Sequence, residues 1–94
     1  MDKILFLGCG SWGAALGLVL SKNGYDVTMW HRKDSIVEKM KDSRKHYLIP
    51  SIHFPDKISF TSDAKTAIQN SSTVIISVPS QSIRGLLQKY SNSF

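Results

Sequence analysis

Three glycines, Gly8, Gly10 and Gly13, stand in G-x-G-x-x-G spacing within the stretch LFLGCGSWGAALG. A loop of this composition can bring backbone N–H groups against an anion, because glycine leaves no side chain in the way. The context carries more than the spacing. The loop follows five residues, KILFL at 3–7, that read as a buried strand, and it opens residues 11–23, which read as a helix. Gly8 suits the tight turn out of the strand. Gly10 leaves room for a pyrophosphate, and Gly13 lets the helix pack closely on the strand. The free N–H groups and positive dipole end of the helix complete an anion site. Ser11 is the expected N-cap, with Trp12 beside it at the helix start. The alternative is a glycine turn that holds no ligand. Cys9 reads as a small residue filling a crowded loop rather than as a reactive thiol.

A second group of residues bears on which dinucleotide such a loop would hold. In a fold of this kind an acid about 20 residues past the loop hydrogen-bonds a free ribose 2′-hydroxyl. The corresponding stretch here is Trp30-His31-Arg32-Lys33, and no carboxylate comes before Asp34. Arg32 and Lys33 would pair with a 2′-phosphate that an acid would repel. NADP(H) is therefore the expected cofactor, with NAD(H) also accepted. On the other reading these two residues are solvated surface charges. Asp34 serves either as an N-cap or, if the strand runs longer, as the ribose acid.

The elements that must position these groups alternate. Residues 27–30 read as a second strand and 34–41 as a second helix. Residues 42–57 are irregular, with Pro50 and Pro55; 58–61 form a short strand, and 62–70 a helix capped by Ser62. Residues 73–78 (TVIISV) read as a buried strand ended by Pro79, and 81–90 as a helix with Ile83, Leu86, Leu87 and Tyr90 on one face. In the first helix the stripe Trp12, Ala15, Leu16, Val19 and Leu20 is the expected buried face, and Asn23-Gly24 the stop. Apolar strands alternating with helices predict an α/β fold: a Rossmann-type parallel sheet with helices on both faces. About four strands are visible where a complete dinucleotide-binding domain has about six. Residues 1–94 are thus expected to be the first, incomplete part of such a domain; the alternative is a complete small flavodoxin-like domain.

The bulk properties narrow the field further. The chain has 94 residues, a net charge of +5 and one cysteine. One small domain fits that length. An internal disulfide is ruled out, and a thiolate metal site is not expected. No metal site is expected from His31, His46 and His53, which read as surface or loop histidines. The N-terminus lacks a secretory pattern, and no apolar run reaches the roughly 20 residues of a membrane span. A cytoplasmic location is the default. The basic residues between Lys22 and Lys45 are scattered. The stretch Arg44-Lys45-His46-Tyr47 reads as a solvated loop rather than a nucleic-acid surface. Ser80 lacks the glycines of a nucleophile elbow.

Taken together, LGCGSWGAALGLVLSKNGYDVTMWHR, RKHYLIPSIHFPDKISFTSD and SSTVIISVPSQSIR resemble the bacterial NAD(P)-dependent glycerol-3-phosphate dehydrogenases over essentially the whole chain. The G-x-G-S-W-G and V-P-S-Q pieces carry most of the specificity. The resemblance implies hydride transfer between NAD(P)H and dihydroxyacetone phosphate or sn-glycerol 3-phosphate, which supplies the backbone of phospholipids. It implies cofactor contacts at Ser11, Trp12, Arg32 and Lys33. Tyr47 would lie near the adenosine end, and the loop around Pro79 would pass beneath the cofactor. Trp12 would then pack beside the cofactor, or else serve as a core residue of its helix. In the family the catalytic lysines and the helical substrate domain lie beyond position 94, so no proton donor is expected here. The partner is a small-molecule substrate, without nucleic acid or membrane insertion, and the full-length enzyme is expected to be a homodimer. The sequence departs from the family at Leu48-Ile49-Pro50 and His53-Phe54-Pro55, which implies small loop changes. Rival readings are a ketopantoate- or 6-phosphogluconate-type dehydrogenase and a nucleotide-sensing Rossmann module without enzymatic activity.

Overall fold

The computed structural model describes residues 2–78 and 80–93. Strand β1 (Lys3–Leu7) is followed by helix α1 (Ser11–Lys22), strand β2 (Asp26–Trp30), helix α2 (Asp34–Ser43), strand β3 (Ser59–Thr61), helix α3 (Ala64–Gln69), strand β4 (Thr73–Ile76), helix α4 (Ser80–Lys89) and a closing 3-10 turn, Ser91–Ser93. The four strands form one parallel sheet in the order β3-β2-β1-β4. The register runs from Lys3 opposite Asp26 to Leu7 opposite Trp30, and from Ile4 opposite Thr73 to Leu7 opposite Ile76.

Strand β1 lies at the centre because its residues are apolar on both faces. Ile4 and Phe6 pack with Val27, Met29, Val37, Met40, Ile58 and Phe60 on the side of α1 and α2. Leu5 and Leu7 pack with Trp30, Ala64 and Ile68 on the side of α3 and α4. Each such side chain taken fully from water contributes about 1.5–3 kcal/mol. The sheet is thus covered on both faces, as the unbroken apolar strands predict.

Helix α1 departs from its expected face. Its buried residues are Gly13, Ala14, Gly17 and Ser21, while Trp12 is 63% and Val19 53% exposed. Ala15 is exposed too, and Leu16 and Leu20 are half-buried. The helix approaches the sheet so closely that a Cβ on Gly17 would overlap the Met29 methyl. Close approach reserves the inner face for the smallest residues and turns the large ones outward. The N-cap is also corrected: Gly10 occupies that position and no side chain caps the helix. The stop is as expected, with Asn23 as C-cap and Gly24 at φ +92°.

Other ends shift for local reasons. Helix α3 is capped by Asp63, whose carboxylate accepts from Thr66 N, rather than by Ser62. The Ser62 hydroxyl donates instead to Asp34 Oδ1 at 3.0 Å. Lys33 holds the N-cap position of α2, which places Asp34 in its first turn, where the dipole favours an acid. Helix α2 runs on to Ser43 and ends on Arg44 in the left-handed region at φ 56°. Strand β4 ends at Ile76 and is only half-buried; among the described residues β1 is the strand it pairs with. In α4, Leu86 packs inward while Leu87 is 40% exposed, off the expected face.

The irregular segment 44–57 is tied down by Arg44. Its guanidinium donates to the carbonyls of Pro55 and Ile58 and lies 5.0 Å over the Phe60 ring. The antiparallel bridge between Lys45 and His53 closes the segment into a loop. Among the described residues no helix is long and apolar enough to cross a membrane.

Candidate functional site

The chain leaves β1 toward β2 on one side and returns to β4 on the other. The switch point therefore falls between β1 and β4, where sheets of this kind open a crevice at the carboxyl ends of their strands. Gly8 opens that crevice. It sits at φ +113°, and a Cβ there would stand 2.7 Å from the Ser77 carbonyl oxygen and 2.8 Å from Val78 Cγ1. The turn is stapled on both sides: Gly8 N donates to Trp30 O at 3.1 Å, Ser77 N to Leu7 O at 3.0 Å, and Ser77 Oγ to Gly8 O at 2.8 Å. Gly13 also faces Ser77, with a virtual Cβ 2.7 Å from its Oγ. Gly10 differs, because no atom lies within 4 Å of where its Cβ would be. Two glycines are there so that protein can pack on protein. The third leaves a space in front of α1, whose leading N–H groups have no side-chain cap.

Cys9, between the first two glycines, is 2% exposed and belongs to the core. Burial pushes its thiol up to about 12, so it stays protonated and unreactive. This agrees with its expected role as a space-filling residue.

At the end of β2, Trp30 is buried and its Nε1–H donates to Ser62 O at 3.1 Å. His31 N donates to Thr61 O, and its Nδ1 accepts from Lys33 N at 3.0 Å. Burial and then the charges of Arg32 and Lys33 hold the His31 pKa below its usual value. Arg32 and Lys33 are exposed, and neither forms an ion pair among the described residues. Asp34 is engaged by Ser62 at the head of α2.

Tyr47 is half-buried between two histidines: edge-on to His31 at 5.1 Å and stacked on His46 at 4.8 Å. Burial, and to a smaller extent Cys9, raises its pKa.

These parts enclose an open cleft of about 630 Å³, whose walls include Gly8, Gly10, Arg32, Tyr47, Ser77 and Lys89. That volume is in the range of small-molecule sites. Of the residues singled out from sequence, Gly8, Gly10, Arg32 and Tyr47 meet on its wall. Ser11, Trp12, Gly13 and Lys33 are not among its lining residues, and Trp12 points mostly to solvent. Pro79 lies outside the described residues. Sequence reasoning missed His31, Leu48, Lys89 and Tyr90, which also line the cleft. His31 was detectable as the neighbour of Arg32 at a strand end; Lys89 and Tyr90 arrive from α4 with no local signal. His46 was expected at the surface or in a loop. It lies in the 44–57 loop but is 2% exposed. His53 is exposed.

A parallel sheet in this order, with a G-x-G-x-x-G loop at the switch point opening a helix, defines a dinucleotide-binding fold of the Rossmann type. Residues 3–94 match the family model for the NAD-dependent glycerol-3-phosphate dehydrogenase N-terminus. The chain belongs to that family. It is 37% identical over 90 residues to a glycerol-3-phosphate dehydrogenase [NAD(P)+] of Bacillus pumilus, covering 95% of this chain and 26% of that protein. A Syntrophomonas wolfei enzyme of the same name is 39% identical over 90 residues, with the same coverage of both chains. The crystal structure of the Coxiella burnetii glycerol-3-phosphate dehydrogenase superposes with a TM-score of 0.90 at 28% identity, over 99% of this chain and 29% of that one. The chain thus spans about a quarter of the length of the curated relatives it matches.

Proposed function

We propose that this chain is the cofactor-binding portion of an NAD(P)-dependent glycerol-3-phosphate dehydrogenase, and that NADP(H) is its preferred cofactor. The observation that carries the reading is the open space at Gly10, at the head of a helix with no side-chain cap and on the same cleft as Arg32, which makes no ion pair among the described residues. The pyrophosphate would lie against Gly8, Gly10 and the leading N–H groups of α1 from Ser11, Trp12 and Gly13, where the dipole favours an anion. Arg32 and Lys33 would take a 2′-phosphate through charge-assisted hydrogen bonds. Tyr47 would wall the adenosine side, and Pro79 would belong to the loop beneath the cofactor. When bound, the cofactor supplies the hydride that interconverts dihydroxyacetone phosphate and sn-glycerol 3-phosphate. The protein's contribution is to hold and orient it.

No residue of 1–94 is assigned as proton donor. The helical substrate domain, the homodimer, the cytoplasmic location and the role in phospholipid synthesis belong to the same proposal, supported by the family and by relatives about four times as long. Calorimetric titration of the chain with NADPH and with NADH at low salt tests it. Tighter binding of NADPH is the expected result. Equal binding of both would remove the role of Arg32 and Lys33, and no binding by the folded chain would remove the cradle.

A further inference from the structure

His46 has no part in the reading above, yet it and Ser21 are the two buried polar or charged residues among those described. Its ring is bonded at both nitrogens. Nε2 lies 2.6 Å from the Cys9 carbonyl oxygen, across 37 residues of sequence. Nδ1 lies 3.0 Å from Leu48 N and 3.1 Å from Ile49 N. Two N–H donors converge on Nδ1, so that nitrogen carries no hydrogen. A carbonyl faces Nε2, so that nitrogen carries the hydrogen and donates it. One neutral tautomer satisfies all three backbone groups, and a ring with its hydrogen on Nδ1 satisfies none.

We infer that His46 is a positioning residue for the cofactor site, joining the glycine loop and the Tyr47–Leu48 wall into one unit. Holding the Cys9 carbonyl fixes the Cys9–Gly10 peptide plane. No peptide bond among the described residues is cis, so the Gly10 N–H must point away from the ring, opposite the carbonyl. The histidine thereby sets the direction of a backbone donor in the loop without touching a ligand. Its other nitrogen holds the turn at Leu48 and Ile49, and its face carries Tyr47 at 4.8 Å. This inference rests on the cofactor reading for its ligand, but not for its geometry.

Two substitutions divide the ring's work. In His46→Gln the amide nitrogen can reach the place of Nε2 and keep the bond to Cys9. In His46→Asn the amide oxygen can take the place of Nδ1 and keep only the turn. Thermal melting compares their folding, and calorimetry with NADPH compares their binding. The expected result is that Asn weakens NADPH by about tenfold while Gln stays within about threefold of the parent, at similar melting temperatures. A residue with a purely structural role would weaken binding in step with melting temperature. Equal weakening in both variants, or unchanged affinity in the Asn variant, overturns the inference.

If the parent chain fails to bind NADPH, the cofactor reading falls and amide exchange at Gly10 decides the geometry. Faster exchange in Asn but not in Gln supports the link, and equal exchange overturns it. If neither variant folds, nitrogen NMR of the parent imidazole decides: hydrogen on Nε2 supports the inference and hydrogen on Nδ1 overturns it.

Discussion

The glycine loop and the end of β2 border the same cleft and are built in opposite ways. Around Gly8 and Gly13 protein packs on protein so tightly that a methyl group has nowhere to go. At Arg32 and Lys33 the side chains are exposed and make no ion pair among the described residues. The first region works through backbone and is over-determined. The second works through side-chain charge and constrains little else. A cradle common to all dinucleotides suits the first construction, and a preference between two of them suits the second.

The sharpest break of this comparison is Gly8→Ala. It forces a side chain into a left-handed backbone and against the Ser77 carbonyl. A loss on the order of 3 kcal/mol in urea unfolding is expected; a loss below about 1 kcal/mol would show that the turn is not over-determined. Gly10→Ala should do the reverse. Its backbone, at φ −65° and ψ 177°, accepts any residue, and nothing crowds it. Stability should stay within about 0.5 kcal/mol, while NADPH and NADH affinity both fall, by about a hundredfold. If one cofactor is spared, Gly10 does not face the shared pyrophosphate. Replacing Arg32 and Lys33 together with alanine should weaken NADPH by about tenfold and leave NADH unchanged; calorimetry that finds both weakened alike would merge the two regions into one.

The smallest effect expected is on the pH dependence of stability. Burial, Arg32 and Lys33 depress the His31 pKa in the fold, so the unfolded chain binds the proton more readily. This stability is present above the unfolded value of 6.5, is lost as pH falls below it, and levels off beneath the folded value. Urea melts across that window should show the decline. The Arg32→Ala, Lys33→Ala variant should flatten it, since two of its three causes are gone. A decline of the same size in that variant would leave burial as the sole cause.

What was legible from sequence was what is local. KILFL followed by glycine placed β1 to the residue, and the loop after it followed from the same stretch. Apolar strands alternating with helices placed the fold as a whole, and the family pieces placed the chain within it. The inner face of α1 was misread because periodicity assigns the core to the largest apolar residues, whereas close packing on Met29 admits only small ones. TVIISV reads as a buried strand from its composition, yet strand β4 is Thr73–Ile76 and only half-buried, because composition does not report what lies beside a strand. The His46 bond to Cys9 joins positions 37 apart through an irregular segment, where no periodic pattern reaches.

The crossing from one side of β1 to the other also has a consequence in time. Lys3 and Ser72 are joined by three hydrogen bonds: Lys3 N to Ser72 Oγ, and Ser72 Oγ and N to Lys3 O. Their separation of 69 residues is about three-quarters of the 94-residue chain. On a ribosome adding about 5–20 residues per second, β1 has its β2 partner within seconds but waits several seconds longer for β4. Through that interval one edge of KILFL stands open, and an open apolar edge is where a second nascent chain pairs. The topology that opens the cleft at the switch point therefore also makes early synthesis the stage at which this protein depends most on being kept apart from its own copies.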